Sequence, residues 1–415
     1  MTTPMSDLPA DENTGLVALP EPFWLHLSRT IRRTLFSSYT NVLLVFVPIG
    51  IAAGTFGWPA EAVFALNFLA IIPLAPLITF SIDELSPSVG HAFGELIKPT
   101  SSNAVEMIVS IVAVSRGQPL VARSSLLGSI LAYALLVLGS SFFIAGYDKK
   151  KLTFEKNMTN TLSSLMMAVS FSLIVPTIMS ITSDGPESQP DSDARILSHA
   201  ISIMLLVIFV IYLNFRAWFL DLNAQNDHDS THENHQSVPR ADSTFALGLY
   251  TTSCILLCTI LCAILCAFHL VGSIDGLAQA LDMNETFISL VLIPPISYSA
   301  KCVTVTAMAR NCQMDLVMRS IIHSILQITM LIIPLVVLLG WLFKKPLTLD
   351  FNLFEATVFL LTLIVMSSTM QDGKSNYFSG IMLIGMYILI AVAFYVRPDV
   401  WESFILPGLD GRKVV

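Results

Sequence analysis

Eleven long apolar runs leave this chain few folds to choose from. They lie near residues 39–57, 61–83, 102–116, 119–145, 158–181, 196–218, 244–271, 285–311, 313–341, 353–370 and 375–396. Most approach the ~20 residues that carry an α-helix across a bilayer. Backbone amides in hydrocarbon must find partners inside their own segment, so such runs are helices rather than open strands. Composition agrees. Of the 415 residues, 54% are apolar and 13% are charged, about half the charge of an ordinary soluble domain. So little charge cannot hydrate a soluble globule of this size, and so much apolar character excludes a disordered chain. The net charge of −8 argues against nucleic acid as a partner. The expectation is an all-α integral membrane protein of eleven transmembrane helices, with the lipid bilayer as its first partner.

Two runs are irregular. The one at 102–116 is short, and Pro294 and Pro295 interrupt the one at 285–311. Both read as broken or re-entrant elements, the kind that line binding sites in transporters. Orientation follows from Lys and Arg in short loops. Arg29, Arg32 and Arg33 precede the first run, and Lys149, Lys150, Lys151 and Lys156 lie between the fourth and fifth. A cytoplasmic N-terminus puts both clusters on the cytoplasmic side. The acidic loop with Asp184, Glu187, Asp191 and Asp193 then faces the lumen or exterior, and eleven spans leave the C-terminus there as well. Lys344, Lys345, Arg412 and Lys413 fit that side less well. No charged-then-apolar signal peptide opens the chain, so the first span is also the targeting element.

Six cysteines show no CxxC or zinc-finger spacing. Cys254, Cys258, Cys262 and Cys266 recur at i+4 in one apolar run. This reads as a stripe of small residues for close helix packing, with a soft-metal stripe as the alternative. Residues 219–243 form the long polar segment between runs. Its His228, His232 and His235 could hold a transition metal, but a solvated linker between two halves is the preferred reading. The resulting organisation is a cytoplasmic tail (1–38), a first helix (39–57), a five-helix unit (61–218), an acidic, His-rich cytoplasmic linker (219–243), a second five-helix unit (244–396) and a tail (397–415).

The two units compare directly. An offset of 195 residues lays Ser102-Asn103-Ala104-Val105-Glu106 over Ser297-Tyr298-Ser299-Ala300-Lys301. The same offset lays Leu126-Leu127-Gly128-Ser129-Ile130-Leu131 over Ile321-Ile322-His323-Ser324-Ile325-Leu326. Five helices per unit is an odd number, so the units run through the membrane in opposite senses. The expectation is one helix plus two inverted five-helix repeats, with a binding site near the midplane where they meet.

These residues resemble the Ca²⁺/H⁺ exchangers of the cation/Ca²⁺ exchanger superfamily, in particular the fungal vacuolar type. The resemblance spans about residues 40–397. It rests on ALNFLAIIPLAPL (65–77), SNAVEMIVSIVAV (102–114), SLLGSIL (125–131), LVLG (136–139), QMDL (313–316) and MQDGKSNY (370–377). It implies a vacuolar membrane, and a Gly-Asn-Ala-x-Glu signature in each repeat whose two carboxylates share Ca²⁺ or protons. The first signature is nearly intact: Asn103 and Glu106 stand in place and Ser102 replaces Gly. Glu84 matches an acidic position at the end of the preceding helix and would serve the proton pathway. The second signature is rewritten, with Tyr298 at the Asn position and Lys301 at the Glu position. His323 replaces a Gly beside Ser324, the counterpart of Ser129. Tyr133 replaces an Asn, and Arg123 stands where the family has Gln. Arg123 and Arg319 are further expected to reach either headgroups or the cavity.

Replacing Glu by Lys changes the site by two charge units, each worth about 4 kcal/mol at ~4 Å and an effective dielectric near 20. A dication needs several oxygen ligands, and Lys301 offers only donors. Three functions follow. The first is a cation/proton antiporter in which Glu106 and Lys301 carry proton coupling. Its substrate site would be built from Asn103, Ser102, Tyr298, Ser129, Ser324 and His323. Glu106 and Asn103 would be metal ligands only where a cation is still bound. The second is a non-transporting regulatory paralogue locked by a Glu106–Lys301 pair, with their charged groups within hydrogen-bond reach. The third is a repurposed cavity that binds, moves or converts an organic small molecule, with Glu106 and Lys301 as acid and base. No cofactor is implied, and the sequence carries no reading of oligomeric state.

Overall fold

A computed structural model describes residues 39–88, 101–148, 152–182, 190–228, 242–345 and 347–396. Apart from short connecting segments, the described chain is helical, with two two-residue strands β1 (Leu152–Thr153) and β2 (Lys374–Ser375) that pair antiparallel. The helices are α1 (Phe46–Thr55, preceded by a 3₁₀ segment Tyr39–Val45), α2 (Ala60–Leu85), α3 (Ala104–Arg116), α4 (Pro119–Leu131), α5 (Leu138–Asp148), α6 (Lys156–Thr182) and α7 (Pro190–His228). After the linker come α8 (Asp242–Gly272), α9 (Ile274–Leu281), α10 (Pro294–Arg310), α11 (Met314–Gln327), α12 (Ile333–Leu342), α13 (Leu353–Gln371) and α14 (Tyr377–Tyr395).

Local sequence explains several boundaries. Pro119 opens α4, where a missing N–H costs nothing. Gly117, in the left-handed region at φ 81°, closes α3 by returning its N–H to Ala113 and Val114 carbonyls. Asn352 and Glu355 form a capping box at the start of α13, and Asn376 accepts from the Ser379 N–H at the start of α14.

Each of the eleven apolar runs is helical, but not all are simple spans. Among the described residues eight helices are long and apolar enough to cross a membrane. The run at 285–311 bends by 63° between Glu285–Ser299 and Lys301–Arg310, and counts as a ninth if taken as one span. The break falls between Ser299 and Lys301 rather than at Pro294–Pro295, which open α10 as its first helical residues. The first run yields only a short apolar helix, Val42–Thr55. Asn67 fastens it to α2, donating to the Gly50 carbonyl at 3.1 Å. The 102–116 run yields the 13-residue α3. Helix α7 continues to His228, so the first part of the expected linker is helical. The side chains of His228, His232 and His235 lie outside the described residues, as do Lys149–Lys151 and both tails.

The core lies around the spans Pro119–Tyr147 and Met314–Leu342, whose apolar windows are 78% and 67% buried. The corresponding figure is 22% for Arg195–Asn214 and for Tyr377–Tyr395, which are therefore peripheral. The offset of 195 seen in sequence recurs in elements. It carries α4 onto α11, the π-helical segment Ala132–Val137 onto Ile328–Ile332, and left-handed Gly117 onto left-handed Cys312. Gly128 of α4 lies so close to the π-helical segment Ile288–Leu292 that a Cβ there would fall on the Leu290 carbonyl oxygen. Glycine is required at that crossing.

Contacts between loops fall into two groups. In one, Gln118 donates to both Asp275 oxygens at 3.0 and 3.1 Å, and Lys345 donates to the Ser115 carbonyl at 2.6 Å. Thr177 and Ser198 hold the 347–351 segment through Leu349 and Phe351. In the other, β1 pairs with β2, and Arg319 pairs with Glu155 at 3.3 Å.

Candidate functional site

Helix α3 starts at Asn103, and this start positions the site. Asn103 is 2% exposed and its side chain does not cap its own helix. It is drawn sideways instead. Its Nδ2 donates to Gln327 Oε1 at 2.8 Å and to the Ser324 carbonyl at 3.4 Å, and its Oδ1 accepts from Lys301 Nζ. Lys301 Nζ also donates to Ser324 Oγ at 2.8 Å and lies 5.0 Å from the centre of the Tyr133 ring. The ammonium thus has two oxygen acceptors and one aromatic face, a combination suited to a cation. Ser102 adds a longer hydrogen bond to Gln327 Oε1, at 3.4 Å.

Glu106, one turn along α3, is 3% exposed, and neither carboxylate oxygen has a hydrogen-bond partner. Lys301 is close enough to act on it electrostatically but does not close an ion pair. The expected Glu106–Lys301 contact is therefore corrected: the ammonium turns to Asn103 Oδ1 at the start of α3 and to Ser324 Oγ within α11. The Ser129 hydroxyl faces the Glu106 carboxyl closely enough to act on it, but without a hydrogen bond of normal length and angle. Tyr133 and Tyr298 meet edge to face at 6.3 Å, and the buried hydroxyls of Tyr133 and Tyr387 are unpartnered.

Asn103, Ser102, Glu106, Ser129, Ser324, Tyr298 and Lys301 accordingly gather in one buried cluster. His323 is directed elsewhere, with Nδ1 at 3.2 Å from the Tyr212 hydroxyl. Glu84 is exposed near the end of α2. Gln327 is fully buried at the centre of the cluster and escaped the sequence reading, although a lone amide within SILQITM was a signal. Glu355 also escaped it. This carboxylate is 1% exposed, accepts from Ser124 at 3.3 Å and pairs with Arg123 at 3.6 Å. Arg123 also donates to the Asp350 carbonyl, so Arg123 and Arg319 have protein partners rather than headgroups. Of the cysteine stripe only Cys266 is buried, while Cys254 and Cys258 are exposed; the stripe is not one packing face. Among the described residues no three His, Cys, Asp or Glu side chains converge on a metal position.

Apolar spans around a buried carboxylate, amides and an ammonium define a polytopic membrane protein with a polar site inside its helix bundle. An intramembrane carboxylate without a partner is functional by default. The sodium/calcium exchanger protein family matches residues 60–218 and 252–396, and the chain belongs to that family. A vacuolar calcium ion transporter of Schizosaccharomyces pombe is 33% identical over 369 residues, covering 89% of this chain and 87% of the relative. A Ca(2+)/H(+) antiporter of Synechocystis is 30% identical over 365 residues, covering 86% and 97%. Among solved structures, native YfkE aligns with a TM-score of 0.69 at 23% identity, covering 85% of this chain and 99% of that one. The H+/Ca2+ exchanger CAX aligns at 0.59 and 13% identity, covering 91% and 95%. Both share the fold.

Proposed function

We propose that this chain is a cation/proton antiporter-like transporter of an internal, vacuolar membrane whose Lys301 ammonium occupies the cation position, so that Ca²⁺ exchange is lost. The observation that carries the reading is the use of the oxygens. Lys301 takes Asn103 Oδ1 and Ser324 Oγ, while Asn103 and Ser102 take Gln327 Oε1. The amides then present N–H groups to the site, with Gln327 Nε2 unpartnered. Among the described residues of the cluster, the Glu106 carboxylate and the Tyr133 hydroxyl are left unpartnered, short of the ~6–8 oxygens that Ca²⁺ requires. Glu106 keeps the capacity to carry a proton.

The same reading has eleven spans, a cytoplasmic N-terminus, a lumenal C-terminus and two inverted five-helix repeats. The two groups of loop contacts support it, because strict alternation from the N-terminus assigns 115–118, 275 and 345–351 to one face and 152–155, 319 and 374–375 to the other. The two separate stretches matched by the family, and the recurrence of elements at one offset, support the duplication. The relatives named as a vacuolar calcium ion transporter and a vacuolar cation/proton exchanger support the membrane and the substrate class.

The test is proton-driven ⁴⁵Ca²⁺ uptake into vesicles, comparing the native chain with Lys301→Glu plus Tyr298→Asn. The native chain is expected to be silent and the double variant to gain uptake. Uptake by the native chain that Glu106→Gln abolishes would overturn the proposal.

A further inference from the structure

A groove lined by none of the residues of the buried cluster opens between α7 and α12, with a volume of about 850 Å³. Arg195 and His199 line it from α7, and Trp341 and the following Lys344 line it from α12. Arg195 is the first residue of one apolar span, and Lys344 lies just past the end of another that stops at Leu342. Two helices thus bring their basic groups to the same membrane boundary independently. Away from that rim the wall is apolar. Ile203 on α7 and Leu335 on α12 line it two turns deeper, which at 1.5 Å per residue is ~12 Å.

The rim is prepared for an anion. Among the described residues neither Arg195 nor Lys344 pairs with a carboxylate. His199 Nε2 is buried without a hydrogen-bond partner, and the imidazole stacks on Trp341 at 5.0 Å. A soluble anion would use this rim and leave the apolar wall empty. A zwitterionic lipid would use the wall and offer a phosphate, but its own ammonium would leave the positive charge of the rim uncompensated. An anionic phospholipid uses both, and Trp at the interface is suited to the level between headgroup and chain.

We propose that the groove between α7 and α12 binds an anionic phospholipid, its phosphate held by Arg195, Lys344 and His199 and one acyl chain lying against Ile203 and Leu335. The test is quenching of tryptophan fluorescence in the full chain, purified in a neutral detergent, by phosphatidylserine or phosphatidylcholine with brominated acyl chains. Subtracting the signal of Trp341→Phe isolates Trp341. Two cations at about 1 kcal/mol each favour an anionic headgroup by about thirtyfold, so half-quenching is expected at about a thirtyfold lower mole fraction of phosphatidylserine. The gap is expected to close in Arg195→Gln plus Lys344→Gln, two exposed positions, while quenching by phosphatidylcholine persists and reports an intact groove. Equal quenching of the native chain by both lipids, or a gap that survives in the double variant, would overturn the proposal. Displacement of brominated phosphatidylserine by millimolar inorganic phosphate would assign the rim to a soluble anion and overturn it as well.

Discussion

Lys301→Met separates a lysine that merely fills space from one held as a tethered cation. Methionine keeps an unbranched stem of similar length and removes the charge and donors. The ammonium donates to Asn103 Oδ1 and Ser324 Oγ, and hydrogen bonds from a charged group contribute about 1.5–3 kcal/mol each. Glu106 lies beyond the 4.0 Å limit of an ion pair. At that limit and an effective dielectric near 20 the attraction would be about 4 kcal/mol, and at twice the distance about 2 kcal/mol. The substitution is therefore expected to cost about 4 kcal/mol or more, because Asn103 Oδ1 loses its donor and Glu106 its countercharge. Glu106→Gln should do the reverse. It removes a buried charge that no hydrogen bond supports, and is expected to be neutral or mildly stabilising. For a chain of this length, 1 kcal/mol corresponds to about 1–2 °C, so Lys301→Met should lower the midpoint by roughly 4–8 °C. The double variant should lose less than the sum, by the shared attraction of about 2 kcal/mol. Fluorescence-detected gel filtration after stepwise heating in detergent reads all three. A Lys301→Met midpoint at or above the native one would refute the reasoning.

Three further outcomes follow from other contacts. Glu355→Gln leaves Arg123 without its carboxylate while sparing much of the capping geometry; it should cost about 3 kcal/mol as a pair broken from one side, and Arg123→Gln in the same background should recover part, measured as paired shifts in melting midpoint. Gly128→Val should abolish accumulation of folded protein in gel filtration, since even a Cβ meets the Leu290 backbone, whereas Gly385→Ala, with open space around it, should be silent. Single cysteines at Asp275 and Lys374, in a background without native cysteines, should react with an impermeant maleimide from opposite faces of sealed vesicles, because the two positions belong to different loop groups; labelling from one face would contradict the alternating topology.

The helices were legible because hydrocarbon enforces one backbone solution on each apolar run. The juxtaposition of Asn103 with Lys301 followed from one offset shared by two short motifs. What periodicity does not reveal is how far each helix rotates against its neighbours. His323 and Gln327 both stand near Ser324 on α11, yet the first meets Tyr212 and the second meets Asn103. The cysteine stripe turns gradually from an exposed Cys254 to a buried Cys266 because a step of four residues drifts around the helix. The Arg123–Glu355 pair joins distant segments, and no local pattern couples them. The direction of the Lys301 ammonium was missed for a similar reason. The opposite charge of Glu106 dominated the sequence argument, whereas the start of α3 supplies an amide oxygen in better geometry.

Equilibrium binding of ⁴⁵Ca²⁺ to the purified native chain, beside Lys301→Gln and Lys301→Glu, tests the occupied cation position most directly. The expected result is no saturable binding by the native chain up to millimolar Ca²⁺, with binding appearing in Lys301→Glu and requiring Glu106. Saturable micromolar binding by the native chain, lost in Glu106→Gln and indifferent to the residue at 301, would contradict it.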